Sequence, residues 1–179
     1  MDNNFRTILW HQFGASIDML ENAIIACPEH VWSDGSSYQS YWYISYHTLF
    51  WLDLYLEDSA GGFAPPEPFT LSELDPEGLI PERVYTKLEL LSYLEHCREK
   101  CRVQLATLTT EKAQQLFINT EKARQVFTSA GWQDRTLLEL QLYNMRHVQH
   151  HAAQLNLLLR QKTDSAPGWV GQTKQELHS

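Results

Sequence analysis

The segment Leu140–Leu158, LQLYNMRHVQHHAAQLNLL, is the richest stretch of the chain in side chains able to bind a metal. His147 is placed at zero on a helical wheel, at about 100° per residue. Leu137, Leu140, Asn144, His151, Gln154, Leu155 and Leu158 then fall within about 80° of it. Arg135, Arg146, Gln149, Asn156 and Arg160 fall on the far side. His147 and His151 are therefore one turn apart on a stripe that is leucine at both ends, and both point inward. His150 lies at the edge of the stripe, toward solvent or the outer surroundings of a site. Buried imidazoles cost free energy unless they are paired. A divalent cation pairs two at once, and i, i+4 spacing suits a single ion. A hydrogen-bonded core pair without metal is the other reading of the same spacing. Position 148 is valine, so the HExxH signature of a zincin protease is absent.

A third ligand has to come from another element. His47 is the best candidate, mid-way along YWYISYHTLFWLDLYLE, with Tyr43, Phe50, Trp51 and Leu54 around it at helical spacing. Three neutral histidines leave coordination positions open to water or substrate, as in catalytic rather than structural sites. Asn144 and Gln154 share the inward stripe and either hold water, substrate or an imidazole's second nitrogen, or are polar spacers. Tyr43 and Trp51 line the same pocket. Tyr43, Tyr46 and Tyr143 are either proton donors or core residues with satisfied hydroxyls. No Asp or Glu falls on the stripe, and Asp53 is about 240° round the helix from His47. A dedicated carboxylate base is therefore not visible. Cys97 and Cys101, also i, i+4 and preceded by His96, read as buried core thiols rather than a thiolate site. His11 and His30 read as surface or cap residues.

Four long periodic stretches position these residues. The first runs from about Asn4 to Ala26, with Phe5, Ile8, Leu9, Phe13, Ile17, Leu20 and Ile24 at helical spacing, and ends at Cys27-Pro28. The second, Tyr41–Glu57, is apolar nearly all round and reads as a deeply buried helix. Residues 58–82 follow as a long crossover punctuated by Pro65, Pro66, Pro68, Pro76 and Pro81, with room for one short helical turn. A connection of that length is usually functional or packed across the fold. Thr86-Lys87-Leu88-Glu89 spells a capping box that opens a third helix, lined by Leu90, Leu91, Leu94, Cys97, Cys101 and Leu105 and running to about Leu108. A polar connector over 109–133 carries Phe117, Phe127 and Trp132 as expected anchors. The fourth helix runs from about Asp134 to Gln161. The sequence therefore predicts an all-α fold. Four helices with one long crossover between the second and third form a four-helix bundle over residues 1–165, up-down-down-up or similar, with a tail over 166–179. Trp169 is the tail residue expected to tuck back onto the body.

Composition narrows the function classes. The chain has 179 residues, is 43% hydrophobic and 12% aromatic, and has enough apolar mass for a core. A net charge of −8 without a basic cluster argues against nucleic acid as a partner. No apolar run approaches the roughly 18 residues of a membrane span, and the start MDNNFRTILWHQF lacks the pattern of a signal peptide. Cys 3, an odd number, does not read as an oxidised framework. The expectation is a cytoplasmic protein acting on a small-molecule substrate. Leu142 and Met145 lie off the histidine stripe and mark either a homodimer interface or a contact with a neighbouring helix.

The mid-helix His47 and the run His147-Val148-Gln149-His150-His151-Ala152-Ala153-Gln154 together resemble the DinB/YfiT-like superfamily. The flanking YNMRHVQHHAAQLNLLLRQ and HTLFWLDLYL are similar to members of that group, and the resemblance covers essentially the whole chain. It implies a four-helix bundle with a three-histidine site for a divalent metal, zinc or nickel, held by His47, His147 and His151. It further implies an enzyme using a low-molecular-weight thiol such as bacillithiol, mycothiol or glutathione in an S-transfer reaction. A metal-dependent hydrolase and a non-catalytic metal-binding or stress-related protein are the alternatives. The chain departs from many members in having Ala153, not Gly, before the motif's Gln154. That changes helix packing and leaves the ligands untouched. The superfamily name alludes to DNA damage, and no feature of this sequence supports contact with DNA.

Overall fold

Apolar periodicity of about 3.6 residues runs through the chain, and helices result. A computed structural model describes residues 1–35, 37–118, 120 and 134–177, and among them the regular elements are all helical. In chain order they are α1 (Asn3–Ala26), α2 (Glu29–Trp32), α3 (Tyr41–Leu54), a 3-10 turn (Leu71–Leu74), α4 (Lys87–Ala106), α5 (Thr110–Gln114) and α6 (Leu137–Thr163). The expected all-α class is observed. Phe117 is buried as expected, whereas Phe127 and Trp132 lie outside the described residues.

Local chemistry sets most of the helix ends. The Asp2 side chain accepts from the Phe5 amide at 2.7 Å and opens α1, which stops at Cys27 before Pro28. The Thr86/Glu89 capping box closes reciprocally at the start of α4. Thr136 caps α6, and Asp164, in the left-handed region at φ 56°, ends it.

The second helix stops earlier than its apolar run predicts, at Leu54 rather than near residue 57. The reason is tertiary. The last carbonyls of a helix have no partner inside it, and here neighbouring side chains take them. Asn144 donates to the Leu52 carbonyl at 3.1 Å and Gln141 to that of Tyr55 at 2.8 Å. Lys100 donates to the Asp53 carbonyl at 3.1 Å and Gln104 to that of Leu56 at 2.8 Å. Asp53 itself faces α4, buried against Tyr93 and Lys100 and away from the histidines.

Each of α1 and α3 packs against both α4 and α6. Between them lies one continuous core containing Trp10, Phe13, Trp42, Tyr46, Phe50, Tyr85 and Tyr93. Arg98 is buried too, and reaches from α4 to Asp18 and Glu21 on α1. Cys97 and Cys101 are buried free thiols in the core, as their spacing suggests. Met145 packs against the core of its own chain, while Leu142 is exposed.

The crossover is pinned across this framework by aromatic side chains. Phe63 packs edge-on against Phe50, and Phe69 stacks on Tyr93 with ring centroids 4.4 Å apart. The Tyr46 hydroxyl donates to the Thr70 carbonyl at 2.8 Å. These contacts hold the Leu71–Leu74 turn over α3. At the other end of the chain, Trp169 does not tuck back. It is 73% exposed, and Thr173 is the buried tail residue instead. Thr173 donates its amide to the His11 carbonyl at 3.1 Å, and its side chain lies where a Cβ on Gly14 would be. No helix among the described residues is long and apolar enough to cross a membrane.

Candidate metal centre

Because α3 and α6 pack together, the middle of one faces the middle of the other. That contact brings His47 to His147 and His151. One ring nitrogen from each lies within 4.8 Å of the other two. The Nε2 atoms of His47 and His147 are 3.4 Å apart, and the His147 and His151 ring centroids are 4.6 Å apart. All three rings are partly exposed, so the cluster opens toward solvent.

A carboxylate that the sequence does not single out completes the surroundings of His47. Glu73, on the Leu71–Leu74 turn, has a side chain only 5% exposed. Tyr43, His47 and Trp51 stand at i, i+4 and i+8 on α3, and all three donate to it. The Tyr43 hydroxyl donates to Oε1 at 2.5 Å, His47 Nδ1 to Oε2 at 2.7 Å and Trp51 Nε1 to Oε2 at 2.8 Å. Glu73 comes from the crossover rather than from the histidine stripe, where no carboxylate is expected. It also fixes the tautomer of His47, since Nδ1 carries the proton and Nε2 keeps its lone pair. Gln154 pairs with His151, its Oε1 lying 2.9 Å from Nδ1; an exposed amide can turn to accept or donate, so this pair orients the ring without setting its tautomer. A His donating one ring nitrogen to a carboxylate or amide oxygen while the other faces inward is the usual surrounding of a metal ligand.

The other expected pocket residues divide by contact. Tyr43 and Trp51 are at the site through Glu73. Gln154 is at the site through His151. His150 is exposed, its ring 5.0 Å from that of His151. Asn144 is buried one turn from His147, with its amide group given to α3. Tyr46 serves the crossover, and Tyr143 packs edge-on against Tyr55 beneath Arg135. His96 is far round the fold, near Asp53.

The electrostatics favour neutral imidazoles at His147 and His151. Burial pushes His147 well below its ordinary value, and the neighbouring His151, His47 and His150 add to the effect. Burial, then His47, brings His151 down to about 4. Burial alone would raise Glu73. The hydrogen bond and charge of His47, with the Tyr43 and Trp51 donors, outweigh it and hold the carboxyl below its ordinary value. Burial and Glu73 together push Tyr43 upward, so its hydroxyl stays protonated.

These features fit a divalent cation. With the His47 proton on Nδ1, His47 Nε2 accepts a long hydrogen bond from His147 Nε2 at 3.4 Å. A cation between the two nitrogens would take the place of that proton. Two nitrogens each about 2.1 Å from a tetrahedral ion are themselves about 3.4 Å apart. The donor set, three imidazoles, suits zinc, nickel or copper rather than calcium or magnesium.

Compared with known proteins, the chain matches no family model, no curated protein and no solved structure. The functional reading therefore rests on the site itself.

Proposed function

We propose that the chain is a divalent-metal-binding enzyme of the DinB/YfiT-like type, built as a four-helix bundle of α1, α3, α4 and α6. In this reading it carries out an S-transfer reaction with a low-molecular-weight thiol. The observation that carries the reading is the convergence of His47, His147 and His151 from two helices, with His47 and His151 each oriented by an outer oxygen. Among the described residues the cluster contains three candidate ligands. A set of three favours an exchangeable position over the closed four-ligand site of a structural metal.

A bound zinc or nickel ion would supply an electropositive position that lowers a thiol's pKa and keeps it nucleophilic near neutral pH. The chain's own residues do the rest. His147 and His151 offer neutral nitrogens, and His47 turns Nε2 to the cluster with Nδ1 held by Glu73. Glu73 places a negative charge behind His47, which raises the basicity of that ligand. The crossover, with Phe63, Phe69 and the Leu71–Leu74 turn, covers α3 and limits access of water from that side. The hydrolytic alternative wants a carboxylate free to take a proton from water. Glu73 is not free, because both its oxygens are occupied by donors from α3. The exposed Leu142 on α6 is where the expected homodimer would form.

The test is a transfer assay. Protein loaded with zinc or nickel is incubated with glutathione, bacillithiol or mycothiol and a panel of epoxide and haloalkane electrophiles. Thioether products are read by mass spectrometry. The reading expects adduct with at least one thiol and none above background with His47→Ala. Adduct formation equal in wild type and His47→Ala would contradict it.

A further inference from the structure

Glu73 can orient His47 only while the crossover keeps it over α3. Upstream of Glu73 the crossover is held by buried groups: Phe63 against Phe50, Phe69 against Tyr93, and the Tyr46 hydroxyl on the Thr70 carbonyl. Downstream the chain runs onto the surface, and Pro76, Glu77, Gly78 and Leu79 are exposed. Two consecutive turns lead there. The Asp75 amide donates to the Ser72 carbonyl at 3.0 Å, and the Gly78 amide to the Asp75 carbonyl at 2.9 Å. Asp75 Oδ1 also accepts from the Glu77 amide at 2.9 Å, and Pro76 presets the backbone of the second turn. A displacement at Gly78 is therefore passed back to Glu73 through bonded turns.

At Gly78 the second turn meets the loop before α3. Tyr38 in that loop donates its hydroxyl to the Gly78 carbonyl. Position 78 needs glycine twice over: its φ is +68°, and a Cβ there would lie 3.1 Å from the Tyr38 hydroxyl. A tight turn presents Tyr38. In it the Ser40 amide donates to the Ser37 carbonyl at 2.9 Å, and Ser40 Oγ accepts from the Ser37 amide at 2.8 Å. The Tyr38 ring stands edge-on to that of Tyr43, with centroids 5.2 Å apart, and Tyr43 donates to Glu73. Tyr38 thus reaches Glu73 by two routes, through the turns and through the ring of a Glu73 donor. It is 52% exposed, so this contact faces solvent while those upstream are buried.

We propose that Tyr38 is a positioning residue for His47: a latch whose hydroxyl on Gly78 holds the Leu71–Leu74 turn, and with it Glu73, against α3. With the latch open, Glu73 can leave its three donors on α3, and His47 loses the oxygen that orients it. The inference rests on the metal-site reading for its consequence in metal affinity, but its first readout needs no metal.

Tyr38→Phe removes the hydroxyl and leaves the ring against Tyr43. Hydrogen exchange of the metal-free protein, followed by NMR, reads the turns and the carboxylate separately. The Asp75 and Gly78 amides report the turns, and the Trp51 indole, which donates to Glu73 Oε2, reports the carboxylate. A neutral hydrogen bond is worth a factor of about three to ten. All three groups should therefore exchange about three- to tenfold faster in Tyr38→Phe. The Trp10 indole, bonded to the Gln175 carbonyl, should be unchanged. Zinc affinity, by competition with a chromophoric chelator, should fall about three- to fivefold in Tyr38→Phe, and further in Tyr38→Ala, which also gives up the ring contact. The proposal is overturned if Trp51 indole exchange in Tyr38→Phe stays within about twofold of wild type, even with Gly78 faster, because the hydroxyl would then hold only the surface turn. It is also overturned if wild type binds zinc and Tyr38→Phe binds it equally well. Wild-type protein that binds no zinc, with Trp51 exchanging faster in Tyr38→Phe, would defeat the metal reading and leave Tyr38 as the residue that holds Glu73 on His47.

Discussion

Removing Glu73 tests how far the crossover supports the histidine cluster. Its carboxylate takes donors from Tyr43, His47 and Trp51 while only 5% exposed. Glu73→Gln is nearly isosteric. With its oxygen at the Oε2 position it still accepts from His47 and Trp51, and its NH2 at the Oε1 position donates to the Tyr43 oxygen, which can accept. The variant therefore loses charge and keeps geometry. Charge-assisted hydrogen bonds are roughly twice as strong as neutral ones, so the expected loss of folding stability is about 1 kcal/mol. Glu73→Ala leaves three donors without an acceptor. Each such group costs about 1–3 kcal/mol when buried, and some relief comes from water entering the partly exposed site. A total of about 3–5 kcal/mol follows. Zinc affinity should fall about tenfold in Glu73→Gln and about 100-fold in Glu73→Ala, or about 1.4 and 2.7 kcal/mol. Urea unfolding of the metal-free proteins and chelator competition for zinc read the two effects separately. If Glu73→Ala unfolds at the wild-type midpoint and binds zinc within twofold of wild type, the crossover carboxylate does not support His47.

Four other outcomes follow from the same structure. His147 and His151 titrate lower in the folded chain than in the unfolded one, so the unfolded state binds more protons as pH falls below about 6.5. Their contribution to stability is complete above that pH and is lost as pH falls toward about 4, where His151 protonates in the fold. Urea midpoints of the metal-free protein should drop across that window, and His151→Asn should flatten the drop. Arg98→Ala removes the buried partner and leaves Asp18 and Glu21, which both reach water, so it should cost about 1–3 kcal/mol by urea unfolding, the loss of hydrogen bonds to charged groups. A variant as stable as wild type would show the pairs to be idle. Gly14→Ala puts a Cβ 2.6 Å from Thr173 Cγ2 and should dislodge the tail, seen as faster carboxypeptidase trimming without loss of the helical circular dichroism signal. Cys27, Cys97 and Cys101 are buried, and burial pushes their thiols up, that of Cys27 to about 12. Ellman's reagent should therefore find the thiols slow in native protein and fast in urea; rapid native reaction would contradict this burial.

The helices that carry the histidines were legible because each exceeds three turns, and long amphipathic or wholly apolar runs have one regular solution. The same periodicity set His147 and His151 on one face, but the buried side of the helix is turned from the expected stripe: Gln154, expected inward, is exposed, and Asn156, expected on the far side, is buried beside Val148 and Ala152. The end of α3 was not legible, because side-chain amides on α4 and α6 decide it and no local sequence signal marks them. The short helices α2 and α5 were missed for a related reason. Elements of one turn draw their stability from packing rather than propensity. Glu73 was the largest omission at the site. Its crossover also carries Asp58, Glu67, Asp75, Glu77 and Glu82, and nothing in spacing separates one loop carboxylate from another. Only the folded contact with Tyr43, His47 and Trp51 does so. Asn144 was placed on the correct stripe, but its amide orientation depends on the Leu52 carbonyl, a contact between residues 92 positions apart.

The central claim is that His47, His147 and His151 form one metal site across α3 and α6. Elemental analysis of untagged protein refilled with zinc or nickel and then desalted, beside His47→Ala and His151→Ala, tests it most directly. The account predicts close to one equivalent in wild type and little in either variant, with circular dichroism showing both variants folded. Wild-type protein without metal, or variants that retain it fully, would contradict the account.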